Sequence, residues 1–279
     1  MKIMKKHTIA VLSLMVIIIS LMSLGMTSCK PKKNNTSDSA SFLFHFHTQI
    51  IDSTIGGNTD GYDSNTTGSF NYSPWCFDSL GRRIKLLVPQ FFVSNIILVN
   101  ANGNMLSLNN VVLLKGLDSE DYYLCKVPVG TYVSASFTVG LSNADNVTAP
   151  ATNFITDGVP YPLQSSMWNG ASYYGMVVTG AYDPVSTDTA VSPSGTIPFS
   201  FQIPNSLTTA TQVTLPTRGT AAYPVYVATA GSTNYIHVLC DYGKLLSGIN
   251  LQTSNQTSVN PLIADSLAAR IPNMFRYEE

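Results

Sequence analysis

The feature of this sequence that most constrains its fold is a series of short apolar segments separated by glycine, proline, asparagine and serine. The first, residues 42–47 (FLFHFH), has phenylalanine at every second position, which predicts a strand with one buried face. Residues 91–99 (FFVSNIILV) and 111–114 (VVLL) flank a turn at 100–104 and predict a hairpin or meander. Further strands are predicted at residues 122–127, 130–140, 173–182, 197–203, 222–228 and 234–241. This spacing predicts an all-β fold, a two-sheet antiparallel β-sandwich.

Two stretches favour helix instead. Asp241 can cap a short turn over residues 242–246, and Asn260 followed by Pro261 at a first helical position can open one short C-terminal helix. The apolar residues of that helix recur at four-residue spacing: Ile263, Leu267 and Ile271. The folded part, residues 41–279, fits one large sandwich or two small β modules. Residues 184–195, rich in proline, serine and threonine, are either an internal boundary or a long loop.

The N-terminus has the pattern of a bacterial lipoprotein signal. Lysines 2, 5 and 6 precede an apolar stretch over residues 9–22, and Thr27 and Ser28 supply small residues before Cys29. The alternative is a transmembrane anchor, but the stretch is shorter than the roughly 20 apolar residues that span a bilayer. We therefore predict a signal peptide over residues 1–28. The mature protein then begins at a lipidated Cys29, anchored in the cell envelope on the periplasmic or cell-surface face of the outer membrane.

Residues 29–40 are predicted to form a flexible tether, because they offer no apolar side chain for a core. After residue 40 the chain carries nine basic and fifteen acidic side chains. This acidic balance gives nucleic-acid binding no electrostatic support. Charged residues make up 11% of the chain, against about 25% in typical soluble domains. Serine, threonine, asparagine, glycine and tyrosine replace them, as is typical of extracellular β proteins.

Three cysteines follow Cys29, namely Cys76, Cys125 and Cys240. An exported compartment permits one disulfide, yet an odd count leaves one thiol over. Buried thiols are the alternative, because cysteine packs as a small hydrophobic residue. The pairing stays open at this stage.

Motifs typical of enzymes are absent from the sequence: there is no nucleophile elbow, no phosphate-binding glycine loop and no zinc-protease motif. The acidic residues 118–121 (DSED) are predicted to form a solvated loop between strands. We therefore expect no enzymatic activity.

Two histidines are the candidate metal ligands. His45 and His47 lie two residues apart on one predicted strand, so both imidazoles project from the same face. Such a pair chelates Cu(II) or Zn(II) when a neighbouring element supplies a third ligand. The alternative is a plain polar face opposite the phenylalanines. His237 is a weaker candidate, since its strand favours a core or edge histidine without a metal role.

Trp168 is a further candidate, because it stands in a polar Ser/Asn/Gly setting rather than an apolar run. It is either a binding aromatic close to a ligand or a packing residue. Trp75 lies in another aromatic-rich stretch, and exposed tryptophans also stack on sugars.

Five stretches in chain order resemble motifs of the MbnP-like family, the methanobactin-associated periplasmic copper-binding proteins and their lipoprotein relatives in Bacteroidetes. They are residues 92–98 (FVSNIIL), 127–132 (VPVGTY), 137–141 (FTVGL) with Asn146, 166–170 (SMWNG) with 173–175 (YYG) and Gly180, and 263–265 (IAD) with 273–275 (NMF). The resemblance covers most of the chain after Ser41. It implies a secreted β-rich protein and a copper site built from histidines and an oxidised tryptophan, for which Trp168 is the candidate here.

The chain departs from the family at Gln202, where the resemblance implies a histidine. An amide is a poorer copper ligand than an imidazole. Two hypotheses follow. The first is a copper-binding or metal-handling envelope lipoprotein, whose ligand is a metal or a metal chelate. The second is a structural or adhesive surface module that binds glycan or protein without metal.

Overall fold

The structure, a computed structural model, describes residues 38–50, 62–63, 75–78, 80–116, 120–150, 155–156, 159–160, 163–185, 195–210, 212–258 and 260–278. The predicted signal peptide, Cys29 and most of the predicted tether lie outside these residues. Ser39 and Ala40, assigned to the tether from sequence, instead belong to the first strand, because Ala40 is fully buried in the core. Among the described residues, no helix is both long and apolar enough to cross a membrane.

Strands dominate the part of the chain that the structure describes. In chain order they are β1 Ser39–Ile50, β2 Tyr62–Asp63, β3 Cys76–Phe77, β4 Arg83–Asn100, β5 Met105–Leu108, β6 Val112–Lys115, β7 Asp121–Pro128, β8 Gly130–Val139, β9 Ile155–Thr156, β10 Val159–Pro160, β11 Tyr174–Tyr182, β12 Ile197–Pro204, β13 Gln212–Thr214, β14 Tyr226–Ala228, β15 Thr233–Asp241 and β16 Phe275–Tyr277. The helices are short: α1 Asn143–Asn146, α2 Asn205–Thr208, α3 Tyr242–Leu246 and α4 Leu262–Ala268, with 3-10 turns at Ser165–Met167 and Ile271–Met274.

Two sheets face each other, which confirms the predicted sandwich. The first sheet joins β16, β15, β1 and β2, and β7 also pairs with β1. The second runs through β12, β11, β4, β8 and β13, with β3, β5 and β6 along β4 and β14 along β8. One pairing differs from the antiparallel prediction, since β1 and β15 are parallel, with His45 opposite His237. Parallel neighbours need a long connection, and residues 51–232 lie between these two strands.

The inner face of β1 confirms the alternation seen in the sequence. Phe42, Phe44 and Phe46 are buried in the core between the sheets. The Phe42 ring contacts Tyr132 and the Phe44 ring contacts Phe137, edge to face at centroid distances of 5.3 and 5.5 Å. Such aromatic pairs add to the stabilisation from buried apolar area. The histidines of β1 therefore lie on the opposite, outer face.

The predicted hairpin around residues 100–104 forms, but its returning strand is interrupted. Residues 105–108 pair with 96–99 as β5, and residues 112–115 pair with 90–93 as β6. Opposite this interruption, β4 contains a bulge, where the register with β8 shifts between Ser94 and Ile97. Asn95 adopts a left-handed conformation there, with φ 49°. Asparagine tolerates this region better than most residues.

The helix predictions hold with small changes. Asp241 caps α3, and its Oδ1 accepts a hydrogen bond from the Lys244 amide at 3.3 Å. Pro261 is the N-cap of α4 rather than its first residue, and Ile271 is buried in the following 3-10 turn. Residues 183–196 connect β11 to β12, which pair with each other, so this stretch joins neighbours within one sheet. Most of the predicted boundary at 184–195 lies outside the described residues.

The cysteines after Cys29 are thiols packed in or against the core. Cys76 and Cys240 are buried, and Cys125 is partly buried. Burial raises the pKa of the Cys240 thiol, and the neighbouring charge of Asp241 raises it further. A protonated, inaccessible thiol is unreactive.

Candidate metal centre

The outer face of β1 brings His45 and His47 together. Their Nε2 atoms lie 2.6 Å apart and their ring centroids 4.4 Å apart. The side chain of His47 is only 5% exposed, and that of His45 is 19% exposed. The shared face predicted from sequence is therefore present, and the two rings converge on one point.

Glu120, immediately before β7, faces the two imidazoles. Its Oε2 lies 3.6 Å from the Nε2 of His45 and 3.5 Å from the Nε2 of His47. Its Oε1 is buried and has no hydrogen-bond partner among the described residues. The sequence placed Glu120 in a solvated loop, and this is wrong: β7 pairs antiparallel with β1, so the start of β7 lies beside the histidines.

Two more carboxylates hold the far sides of the rings. Asp121 contacts the Nδ1 of His45, and Glu278 places its Oε1 2.5 Å from the Nδ1 of His47. An ionised carboxylate only accepts hydrogen bonds, so the Nδ1 of each ring is the donor in these contacts, and the Nε2 of each ring is the atom left to bind a metal. Carboxylates that orient histidines in this way are common around protein metal sites.

His237 lies next to this group without belonging to it. Its ring centroid is 4.7 Å from that of His45, and its Nδ1 is 3.2 Å from the Oε2 of Glu278. Burial lowers the pKa of His237, and the charge of His45 lowers it further, whereas Glu278 opposes both effects. The side chain is 48% exposed, in keeping with the weaker role predicted from sequence.

The donor set fits a transition-metal ion. The potential ligand atoms of His45, His47 and Glu120 all lie within 4.8 Å of one another. Two imidazole lone pairs facing each other at 2.6 Å repel unless a proton or a cation lies between them. Two nitrogens bound to one metal at about 2.0–2.1 Å lie about 2.9 Å apart at a 90° angle and about 3.3 Å apart at a tetrahedral angle, so binding requires the two rings to separate by about 0.3–0.7 Å.

Trp168 lies elsewhere, on the outer face of the second sheet. Its ring packs against Tyr173 at a centroid distance of 4.7 Å, in a small apolar cluster that includes Phe92 and Val177. Phe92 and Val177 each alternate with residues of the main core, so this cluster faces away from the first sheet. The structure therefore does not bring Trp168 to the histidines.

Gln202 also lies away from the histidines. It is exposed on β12 and pairs with Val177, so it projects from the outer face of the second sheet. The missing imidazole at this position therefore removes no ligand from the group around His45.

Sequence reasoning missed Glu120, Asp121 and Glu278 as parts of the site. The two neighbouring acids stood in an acidic run that suggested a solvated loop, and Glu278 stood next to the end of the chain. The only available signal was the need of a histidine pair for a third ligand from a neighbouring strand.

A comparison with protein families agrees with the resemblance seen in the motifs. A family model described as MbnP matches residues 42–261. Among solved structures, MbnP from Methylosinus trichosporium matches with 16% identity, covering 74% of this chain and 77% of that chain with a TM-score of 0.39. No curated protein matches the sequence. The region matched by the family model includes His45, His47, Glu120 and His237, whereas Glu278 lies beyond it.

Proposed function

Because this chain belongs to the MbnP family, we propose that it is an exported cell-envelope lipoprotein that binds copper through His45, His47 and Glu120. One observation carries the proposal. Two Nε2 atoms converge at 2.6 Å beside a carboxylate whose Oε1 is buried and finds no partner in the described part of the chain. A buried, unsatisfied carboxylate oxygen is costly, and a bound cation would offset that cost.

The donor types favour Cu(II). Two imidazoles and one carboxylate suit divalent copper and zinc, and copper binds such sites more tightly than other divalent first-row metals. Among the described residues, none of the soft thiolates that favour Cu(I) is part of the group, and the Cys240 thiol is buried on the inner side of β15. Copper held there would supply a Lewis-acidic, redox-active centre near the protein surface.

The chain's own residues would bind and orient rather than catalyse. Asp121 and Glu278 hold the Nδ1 protons and so keep both Nε2 atoms directed at the ion. Burial of His47 and Glu120 limits the access of water to the ligands. We propose metal binding or handling, without an enzymatic reaction.

The test is copper retention. One equivalent of Cu(II) is added to the metal-free protein, which is then desalted, and the retained copper is measured by atomic spectroscopy. We expect about one copper per chain in the wild type and none in the His45→Ala/His47→Ala variant. His237→Ala is the matched control, since it removes a neighbouring imidazole on the same face and should retain the metal. No retention by the wild type would favour the structural or adhesive alternative.

The anchor has a separate test. Lipid attachment requires the Cys29 thiol, so the wild type should partition into detergent, and Cys29→Ala should give an uncleaved or soluble precursor. Wild-type protein recovered wholly in the aqueous phase would contradict lipid anchoring without affecting the copper proposal.

A further inference from the structure

A second candidate site lies on the other side of the sandwich, at the bulge of β4. There the partner strand is interrupted by residues 109–111, between β5 and β6, and the register with β8 shifts as well. The interruption opens a cleft of ≈ 550 Å³ on the outer face of the second sheet. This volume is within the usual range of small-molecule sites, about 300–1,000 Å³.

The floor of the cleft contains a hydroxyl without a partner. Ser94 is 3% exposed, and its Oγ makes no hydrogen bond to any described residue. Buried hydroxyls are nearly always satisfied, so such an exception calls for an explanation. The next residue, Asn95, holds a left-handed backbone and an exposed side chain that lines the same cleft. Strained backbone of this kind clusters at binding sites.

The walls of the cleft offer further polar groups. Asn109 and Asn110 line the cleft, as do Ser142 and Asp145 of the α1 turn. The Asp145 Oδ2 accepts a hydrogen bond from the Ser142 hydroxyl at 2.8 Å, which fixes the carboxylate in place. Ser107 and a small apolar strip formed by Ile97 and Val111 complete the lining, and Leu108 lies beneath with its side chain in the main core.

The α1 turn at the cleft is braced by the loop over residues 168–173, which follows the 3-10 turn at Ser165–Met167. The Tyr173 amide donates to the Asn146 Oδ1 at 2.9 Å, which ties this loop to the end of α1. Val111 lines the cleft and also packs against the cluster that includes Trp168. Trp168 thus supports the cleft from behind rather than contacting its contents.

These observations determine the class of ligand. Among the described residues, no lysine, arginine or histidine lines the cleft, so an anion finds no countercharge there, and the single carboxylate among them is too few for a built cation site. Hydroxyl, amide and carboxylate groups beside a small apolar strip match a neutral polyhydroxylated molecule. We propose that this cleft binds a neutral oligosaccharide, with Ser94 and Asp145 as its principal hydrogen-bonding groups. This site is independent of the copper proposal.

The experiment is calorimetric titration of the full chain with three neutral probes, maltotriose, cellotriose and chitotriose. We expect saturable binding of at least one probe. Ser94→Ala should weaken it about three- to tenfold, and Asp145→Asn about tenfold or more, as for lost neutral and charged hydrogen bonds. Trigalacturonate, which is anionic, should bind more weakly than the best neutral probe.

Two controls separate binding from folding. Ser94→Ala removes an unsatisfied hydroxyl, so its melting temperature should equal or exceed that of the wild type, whereas a merely structural serine would lower it. Ser200→Ala, a half-buried strand serine away from the cleft, should leave sugar affinity unchanged.

The His45→Ala/His47→Ala variant should bind sugar normally, and Ser94→Ala should retain copper. The proposal is overturned if no probe binds at about 10 mM, or if binding is unaffected by both cleft variants.

Discussion

The outer faces of the two sheets carry different kinds of residue. On the first sheet, His45 and His47 converge on Glu120, and three carboxylates surround three imidazoles. On the second sheet, Phe92 and Tyr173 pack edge to face at 5.5 Å, with Trp168 beside them. The first arrangement presents potential ligand atoms for a cation, whereas the second gains stability from buried apolar area. Histidine and tryptophan, which the sequence suggested as parts of one metal site, thus lie on the outer faces of different sheets.

The largest expected effect is on stability and concerns the second sheet. Phe92 is fully buried, so Phe92→Ala should lower the free energy of unfolding by about 3–5 kcal/mol. Copper retention at the folded site should be unchanged. Denaturant unfolding measures the free energy of unfolding, and the copper retained after desalting measures the metal site. The counterpart, His45→Ala/His47→Ala, should change stability far less, and comparable losses in both variants would erase the contrast between the faces.

Glu120 tests whether the first face is a ligand set. Glu120→Gln keeps the size of the side chain but replaces a charged ligand with a poor one, so copper affinity should fall about 10- to 100-fold. Competition with a chelator of known affinity measures the change. Glu278→Gln is the matched comparison, because Glu278 contacts the His47 Nδ1 and not the Nε2. An unchanged affinity in Glu120→Gln would remove this residue from the ligands.

Trp168 tests whether the outer face of the second sheet contributes to copper binding. Trp168→Phe keeps most of the apolar area, so we expect a stability loss of about 1 kcal/mol. Copper retention should not change, because the ring packs on the second sheet. Thermal unfolding and the desalting assay provide both readouts. Loss of copper in this variant would show that the tryptophan contributes to the metal site after all.

The smallest expected effect is a pH dependence at His237. Its pKa in the folded protein is lowered, so between that value and the ordinary value of about 6.5 the unfolded chain binds more protons. Stability from this group is therefore present above pH about 6.5 and is lost as the pH falls. In metal-free protein, His237→Gln should reduce the drop in melting temperature between neutral and mildly acidic pH, by about 1 °C. A larger drop in melting temperature in the variant than in the wild type would contradict a lowered pKa of His237 in the folded protein.

Sequence patterns predicted much of the fold and part of the site. The alternation in residues 42–47 placed the phenylalanines and the histidines on opposite faces, and the structure confirms this. The interruption between β5 and β6 was not predicted, because the bulge at Asn95 is a local exception to strand geometry. The parallel pairing of β1 with β15 was also missed, since it joins strands from opposite ends of the chain.

By itself, the sequence determined which side chains share a face of a strand, because that alternation is a property of the extended backbone over neighbouring residues. Only the tertiary structure decided which strands are neighbours. Glu278 reaches His47 across 231 residues, and Glu120 reaches both histidines because β7 pairs with β1. Such pairings depend on the burial of both sheets against one core. Residues from many parts of the chain contribute to that burial, so no single segment can specify it. The same packing of the two sheets places Trp168 on the far side of the sandwich from the histidines.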